Sequence, residues 1–250
     1  MFTPPDAQHL AVISDYDGTL APIVDDPARA VALPAALDAL RELVDVVRLV
    51  AVVSGRPVSF LREHLPIEGV ALVGQYGLER LVDGDIVADP RTAPYVPDVA
   101  SAAEEAEQRW PELLIERKGK IACTVHWRAR PHHPSATELQ RLADRHGLVT
   151  LSSRLACELR PPVPVDKGVA VAQLLGTPQL EAAVFIGDDR GDLRAFDALD
   201  RRQLEDDGEF TGVRVAVGSP EAPPELLERA DVIVDGPEGV AAFLSSLVRR

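Results

Sequence analysis

The strongest constraint on the fold is a series of short, almost wholly apolar segments that alternate with helix-like segments. The apolar segments cover residues 10–14, 48–54, 70–74 and 182–187. Short segments that are apolar at consecutive positions are typical of strands buried on both faces. Between the first two, residues 34–47 place leucine and valine at helical spacing behind a proline, which predicts a helix. This alternation predicts an α/β protein with a Rossmann-like, doubly wound parallel sheet.

The pattern changes in the middle of the chain. Residues 81–87 read as a hairpin through Asp83-Gly84, a dipeptide that favours two-residue hairpin turns. The next segments are predicted as a helix near 98–109, a half-exposed strand at 120–128, a helix at 134–147 and two more strands. A block of this kind is typical of a small α+β unit. We therefore expect a core at 1–89 and 164–250, with an α+β unit inserted at 90–163.

Charge and composition exclude several classes of partner. The net charge of −14 argues against nucleic-acid binding, because an acidic surface repels phosphate backbones. No apolar run approaches the roughly 18 residues that a membrane-spanning helix needs, and the first ten residues do not resemble a signal peptide. Cys123 and Cys157 have neither metal-type nor disulfide-framework spacing. We expect a cytoplasmic monomer that binds a small molecule, and neither nucleic acid nor a membrane.

Polar residues stand where three of the predicted buried strands end. Asp15 and Asp17 follow the first strand, Ser54 ends the second, and Asp188 follows the strand at 182–187. In open parallel sheets, ligands bind beyond the carboxyl ends of the strands. Oxygen ligands without His or Cys suit a hard cation such as Mg²⁺, which commonly takes a substrate phosphate as a further ligand. With Lys167 as a donor to that phosphate, the site is predicted to perform phosphoryl transfer.

The two acids of the first strand end can have separate roles. Asp15 can attack phosphorus and form an aspartyl-phosphate. Asp17 can protonate the leaving alcohol and then deprotonate the attacking water. The turn at Gly18 would let the backbone approach the phosphate.

Four stretches occur in an order that resembles the haloacid dehalogenase-like phosphatases: "DYDGTL", "VVSGR", "DKG" and "IGDDRGD". The resemblance implies that Asp15 is the nucleophile and a Mg²⁺ ligand, and that Asp17 binds the metal through its carbonyl. The remaining roles that it implies are phosphate binding by Ser54, Gly55 and Lys167, metal binding by Asp188, and support from Asp189 and Asp192.

The inserted unit resembles the larger cap domains of sugar phosphatases. The stretches "GQYGLE", "ERKGKIACTVHWR" and "ELRPPVPVDKG", with the first motif, are most similar to the trehalose-phosphatase family. This resemblance implies Mg²⁺-dependent hydrolysis of trehalose 6-phosphate. The substrate-binding candidates are Arg56, Gly77, Glu79, Lys118, His126, Arg128 and Glu158.

Two departures from the family pattern leave alternatives open. Gly191 and Leu193 replace a threonine and a glutamate of the fourth motif, and Tyr76 replaces a histidine. The alternatives are a phosphatase for another phosphorylated sugar or sugar acid, a phosphosugar mutase, and a non-catalytic relative.

Overall fold

The computed structural model describes residues 7–24, 29–127, 130, 133–153, 155–206 and 208–248. These residues divide into two compact units. The first comprises the described residues within 1–86 and 165–250, and the second those within 87–164. The second unit therefore begins three residues before the boundary that the sequence analysis placed at 90, and ends one residue later. That this unit selects the substrate stays a prediction.

A large mixed sheet forms the centre of the first unit. Its strands are β1 (Leu10–Ser14), β2 (Leu49–Val53), β3 (Val70–Gly74), β4 (Glu79–Val82), β5 (Asp85–Ala88), β10 (Ala182–Gly187), β11 (Thr211–Gly218) and β12 (Val232–Asp235). Their order is β12-β11-β10-β1-β2-β3-β4-β5. The neighbours from β12 to β3 are parallel, and β4 is antiparallel to β3. The α/β fold class and the parallel core predicted from the sequence are confirmed.

Helices cover both faces of this sheet, whose central strands carry apolar residues on both sides. The helices of the first unit are α1 (Pro34–Val44), α2 (Val58–His64), α5 (Lys167–Leu174), α6 (Leu193–Glu205), α7 (Pro224–Arg229) and α8 (Gly236–Val248). Leu10 and Val12 of β1 pack into one apolar core with α1, α2 and α8. Ala11 and Ile13 alternate to the other face and pack with α5, α6 and α7. The helix predicted at 34–47 ends at Val44.

The second unit is a four-stranded antiparallel sheet with two helices on one face. Its elements are α3 (Val96–Arg109), β6 (Leu114–Lys118), β7 (Ala122–His126), α4 (Ala136–Arg145), β8 (Val149–Ser153) and β9 (Ala156–Arg160), with strand order β6-β7-β9-β8. Val99 of α3 and Leu142 of α4 pack against Val125 and Leu159 of the sheet. Strand β6 was not predicted. It is an edge strand, and its Leu114 is 63% exposed, so its apolar periodicity is weak.

No helix within the described ranges combines the length and the apolar character needed to cross a membrane.

Candidate active site

The first acid of the site lies where two central strands end side by side. Asp15 follows β1, and its backbone N–H donates to the carbonyl of Ile186 in β10 at 2.9 Å. Because β1 and β10 are parallel neighbours, Asp188, which follows β10, ends at the same edge. Asp15 is 4% exposed. The expected convergence of these strand ends on one edge of the sheet is therefore observed.

Lys167 is the cation at the centre of the acids. Its Nζ lies 2.6 Å from Asp192 Oδ1, 2.9 Å from Asp15 Oδ1 and 3.7 Å from Asp189 Oδ1. Lys167 begins α5, whose N-terminus is capped by the Asp166 side chain. Burial alone would lower the pKa of Lys167, but Asp15 and Asp192 outweigh it and raise that pKa well above its usual value. The lysine therefore stays charged inside the site.

The carboxylates repel one another in a way that favours a bound cation. Oxygens of Asp15, Asp188 and Asp192 all lie within 4.8 Å of one another. Burial, with repulsion from Asp192, raises the pKa of Asp188 to about 7, although Lys167 opposes the shift. Burial likewise raises the pKa of Asp15, against the attraction of Lys167 and with added repulsion from Asp188. Crowded oxygen donors of this kind fit a hard divalent ion such as Mg²⁺.

Asp192 connects the lysine to the loop after β10, and both of its carboxylate oxygens accept hydrogen bonds from the protein. Its Oδ1 accepts from Lys167, and its Oδ2 accepts from the backbone N–H groups of Asp188 and Asp189 at 2.8 and 2.9 Å. Asp189 in turn accepts from the Asp192 N–H. That Asp189 and Asp192 support a metal site stays a prediction. These bonds leave Asp15 and Asp188 as the carboxylates more available to a cation.

Gly18 makes room for Asp188. A Cβ atom at Gly18 would lie 2.1 Å from Asp188 Oδ2, and Gly18 has a φ of +78°, which favours glycine. Thr19 donates through Oγ1 to Asp188 Oδ1 at 3.3 Å. Sequence reasoning quoted Thr19 in the first motif but gave it no role.

Ser54 and Gly55 follow β2, the other neighbour of β1. Ser54 is buried, and its Oγ accepts from the N–H of Arg56 at 3.1 Å. A Cβ at Gly55 would lie 2.6 Å from the ring of Tyr76, so this ring lies directly against the loop. Tyr76 itself has left-handed backbone geometry, with φ 59°. The loop is therefore packed tightly between β2 and the turn after β3.

Asp17 does not face the acidic cluster with its side chain. Its two carboxylate oxygens accept from Arg56 Nε at 2.8 Å and from Arg56 Nη2 at 2.7 Å. The pair is partly buried, with the Arg56 side chain 12% exposed and that of Asp17 37% exposed. Arg56 was predicted to bind substrate, but its observed carboxylate partner is this acid.

Two further substrate candidates contact the protein itself. Glu79 is 6% exposed, and its Oε2 accepts from the N–H of Val58, the first residue of α2, at 2.9 Å. Its carboxylate therefore caps that helix. Gly77 has a φ of +108°, and a Cβ there would lie 3.4 Å from the Cβ of Ala170 in α5. Both residues shape the turn after β3, and a contact with substrate stays a prediction for each.

The candidates of the second unit lie on the face of its sheet that carries no helix. Lys118 Nζ lies 2.6 Å from Glu158 Oε2, and both side chains are largely buried. His126 pairs with Glu116 at 2.8 Å. Arg128 lies outside the described residues.

Thr124 is a polar residue of this face that sequence reasoning missed. It lies directly opposite Glu158 in the β7–β9 register and is 4% exposed. Thr124 Oγ1 and Glu158 Oε1 are buried without a hydrogen-bond partner among the described residues. The position of Thr124 within the alternating strand that was predicted at 120–128 is the signal that could have identified it.

The parallel sheet and the acidic strand ends define a protein with the haloacid dehalogenase-like hydrolase fold. The family model described as "Trehalose-phosphatase" matches residues 13–222. The chain therefore belongs to the trehalose-phosphatase family, as the sequence motifs indicated.

A curated relative agrees with this assignment. A trehalose-phosphate phosphatase of Mycobacterium tuberculosis is 31% identical over 242 residues, which cover 89% of this chain and 61% of the relative. An uncharacterised glycosyl hydrolase of the same species is 32% identical, over 95% of this chain and 18% of its own length. The chain thus spans about three fifths of the first relative and less than a fifth of the second.

The structure of the C-terminal domain of Candida albicans trehalose-6-phosphate phosphatase superposes with a TM-score of 0.72 at 22% identity. The match covers 97% of this chain and 93% of that domain, and it shows a shared fold.

Proposed function

We propose that this chain is a Mg²⁺-dependent phosphatase that hydrolyses trehalose 6-phosphate through an aspartyl-phosphate on Asp15. The observation that carries the proposal is the buried contact of Lys167 with Asp15 at 2.9 Å, at the edge where β1 and β10 end. A cationic lysine beside a carboxylate can hold the nucleophile in place and neutralise an approaching phosphate. Asp15 and Asp188 would hold the metal with their carboxylates, and Asp17 with its backbone carbonyl. Mg²⁺, when bound, would neutralise charge on the transferring phosphoryl group.

In the first half-reaction, a carboxylate oxygen of Asp15 forms a bond to phosphorus while the bond from phosphorus to the sugar oxygen breaks. Asp17 gives a proton to that oxygen, so the sugar leaves as an alcohol. Lys167, Ser54 and the Gly55 backbone would hold the phosphoryl oxygens during the transfer.

In the second half-reaction, Asp17 takes a proton from a water molecule that attacks phosphorus. The bond from phosphorus to Asp15 breaks, inorganic phosphate leaves, and both carboxyl groups return to their starting states. No oxidant, reductant or co-substrate other than water is needed.

The polar face of the second unit supports a sugar as the leaving group. Glu158 Oε1 and Thr124 Oγ1 are buried on neighbouring strands without a hydrogen-bond partner in the described part of the chain, which is costly unless a ligand pairs with them. Sugar hydroxyl groups donate and accept hydrogen bonds and can satisfy both atoms. Lys118, already bound to Glu158 Oε2, adds a charged donor to the same face.

The altered fourth motif is compatible with this function. Leu193 begins α6 and packs against the apolar core between the large sheet and helices α5, α6 and α7. Gly191 lies in the short turn Arg190–Asp192, where Asp189 and Asp192 cap each other. The three acids of the motif therefore keep their hydrogen bonds without the threonine and the glutamate.

The test is phosphate release from a panel of phosphorylated sugars, with Mg²⁺ and with a chelator. We expect Mg²⁺-dependent release that is strongest with trehalose 6-phosphate, and a ³²P-labelled enzyme species after acid quenching. Release confined to another sugar phosphate would overturn trehalose 6-phosphate as the substrate and favour a phosphatase for another phosphorylated sugar or sugar acid. Transfer of the phosphate to a second sugar hydroxyl would favour a mutase, and a folded protein without activity would favour the non-catalytic relative.

A further inference from the structure

Arg56 forms a closed set of contacts around the side chain of Asp17. Its guanidinium donates to both carboxylate oxygens and also lies over the ring of Phe60, 4.5 Å from the centroid. Phe60 meets the ring of Tyr16 edge to face, with the centroids 5.6 Å apart. Tyr16 is the residue before Asp17 in the chain, so Asp17, Arg56, Phe60 and Tyr16 form a ring of contacts.

Two members of this set of contacts, Tyr16 and Phe60, are themselves held by neighbouring parts of the protein. Tyr16 is fully buried, and its hydroxyl donates to the carbonyl of Ala30 at 2.9 Å. Phe60 belongs to α2, whose first N–H is held by the buried carboxylate of Glu79. The Phe60 ring also stacks on the ring of His64, with centroids 4.0 Å apart. Arg56 therefore packs on a Phe60 ring that is itself fixed by Tyr16 and His64.

We propose that Arg56 is the positioning residue of Asp17, and does not act by binding the substrate. The inference rests on the proposed function, in which Asp17 transfers protons. A bidentate guanidinium can release one carboxylate oxygen for proton transfer while its other N–H keeps the carboxylate aimed. A lysine offers one nitrogen and cannot hold both oxygens in this way.

This role and a substrate-binding role predict different kinetics. A residue that acts through Asp17 affects kcat and leaves KM nearly unchanged, and its loss has no further effect once Asp17 is disabled. A residue that binds substrate raises KM, and its loss has the same effect whether or not Asp17 is intact.

The experiment is a double-mutant cycle with Arg56→Gln, Asp17→Asn and the combined variant, measured on trehalose 6-phosphate with Mg²⁺. We expect Arg56→Gln alone to lower kcat by about ten- to a hundredfold, with KM within about twofold; this loss is at or below the lower end of general acid–base effects because Asp17 itself is still present. In the Asp17→Asn background the same substitution should change kcat by less than about twofold. Equal losses in both backgrounds, or a change confined to KM, would overturn the inference.

Two more variants separate positioning from loss of structure. Arg56→Lys should recover part of the activity lost in Arg56→Gln. Phe60→Leu should also lower kcat, because it removes the ring on which the Arg56 guanidinium packs. Arg62→Gln is the matched control, because Arg62 is an exposed arginine of α2 whose observed bond is to the Gly84 carbonyl. Thermal unfolding of every variant checks that the fold is retained.

The generic ester p-nitrophenyl phosphate distinguishes failure of the inference from failure of the proposed function. If the protein hydrolyses only this ester, the sugar assignment fails, but the cycle still applies because Asp17 activates water in the second half-reaction. A folded protein that hydrolyses neither ester would overturn both proposals.

Discussion

Two of the three lysines of this chain pair with buried carboxylates, one in each unit, and they differ in how completely their partners are paired. Lys167 and Lys118 each approach a carboxylate oxygen at 2.6 Å. Lys167 also reaches Asp15, and both oxygens of its partner Asp192 are taken up by protein donors. The partner of Lys118, Glu158, keeps one buried oxygen that has no hydrogen bond to any residue the structure describes.

The difference teaches what each pair is suited to do. A buried ion pair is rigid when both oxygens of its carboxylate are taken up, as in Lys167 with Asp192, because moving either partner leaves a charge uncompensated. An incompletely paired one is unfavourable until a ligand completes it. We infer that the first unit holds reacting groups in place, while the second keeps hydrogen-bonding capacity for the part of the substrate that does not react.

The largest effect is expected where the first cluster holds the nucleophile. Asp15→Asn should lower the phosphate release rate by about four orders of magnitude or more, as for other essential nucleophiles. Steady-state release from trehalose 6-phosphate measures it, with Asp45→Asn, an exposed residue at the end of α1, as the control. A rate near that of the unaltered protein would remove Asp15 as the nucleophile.

Removing the central cation should affect both stability and activity. Lys167→Met leaves Asp15 and Asp192 without their cation, so we expect lost turnover and a free energy of unfolding lower by about 3 kcal/mol. Urea unfolding gives the second quantity, and Lys120→Met replaces an exposed lysine as the control. Unchanged stability would mean that the cluster is not held together by this lysine.

The pair in the second unit should affect only substrates that contain a sugar. Glu158→Gln or Lys118→Met should lower kcat/KM for trehalose 6-phosphate by about ten- to a hundredfold, the usual range for a lost charged hydrogen bond. For p-nitrophenyl phosphate the rates should hardly change. Glu107→Gln alters an exposed ion pair of the same unit and serves as the control. Equal losses on the two esters would contradict sugar recognition by this pair.

The smallest effect is expected at Thr124. Thr124→Val removes a buried hydroxyl for which residues 7–24, 29–127, 130, 133–153, 155–206 and 208–248 offer no partner, so the free energy of unfolding should stay constant or rise by up to about 1 kcal/mol. The rate on trehalose 6-phosphate should fall a few-fold. A clear loss of stability would show that the hydroxyl is already paired in the protein, for example by water.

The sequence predicted the groups of the first site better than their contacts. The acids after β1 and β10 were identifiable because each follows a buried apolar strand and belongs to an ordered series of motifs. The hydrogen bonds between Arg56 and Asp17 could not be identified from the sequence, because they depend on side-chain conformations and on how α2 packs. Glu79 illustrates the same limit, since its partner Val58 is 21 positions away.

Strand β6 shows a different limit of sequence reasoning. Apolar and polar residues do not alternate in "LIERK", and its leucine is exposed at the sheet edge, where burial no longer imposes the pattern. The hairpin at Asp83-Gly84, by contrast, was predictable because the backbone needs positive φ at both positions, and both have it.

Strand connectivity has a consequence for the order in which the chain can acquire its structure. In the large sheet, Leu10 pairs with Ala182, whereas the most widely separated pair in the small sheet is Cys123 with Leu159. Local pairings form faster than distant ones, and chains emerge from the ribosome N-terminus first. The small sheet should therefore be complete before the ladder between β1 and β10 can close. Pulse-labelled hydrogen exchange during refolding should show protection of Val125 before protection of Val12, and the reverse order would contradict this sequence of events.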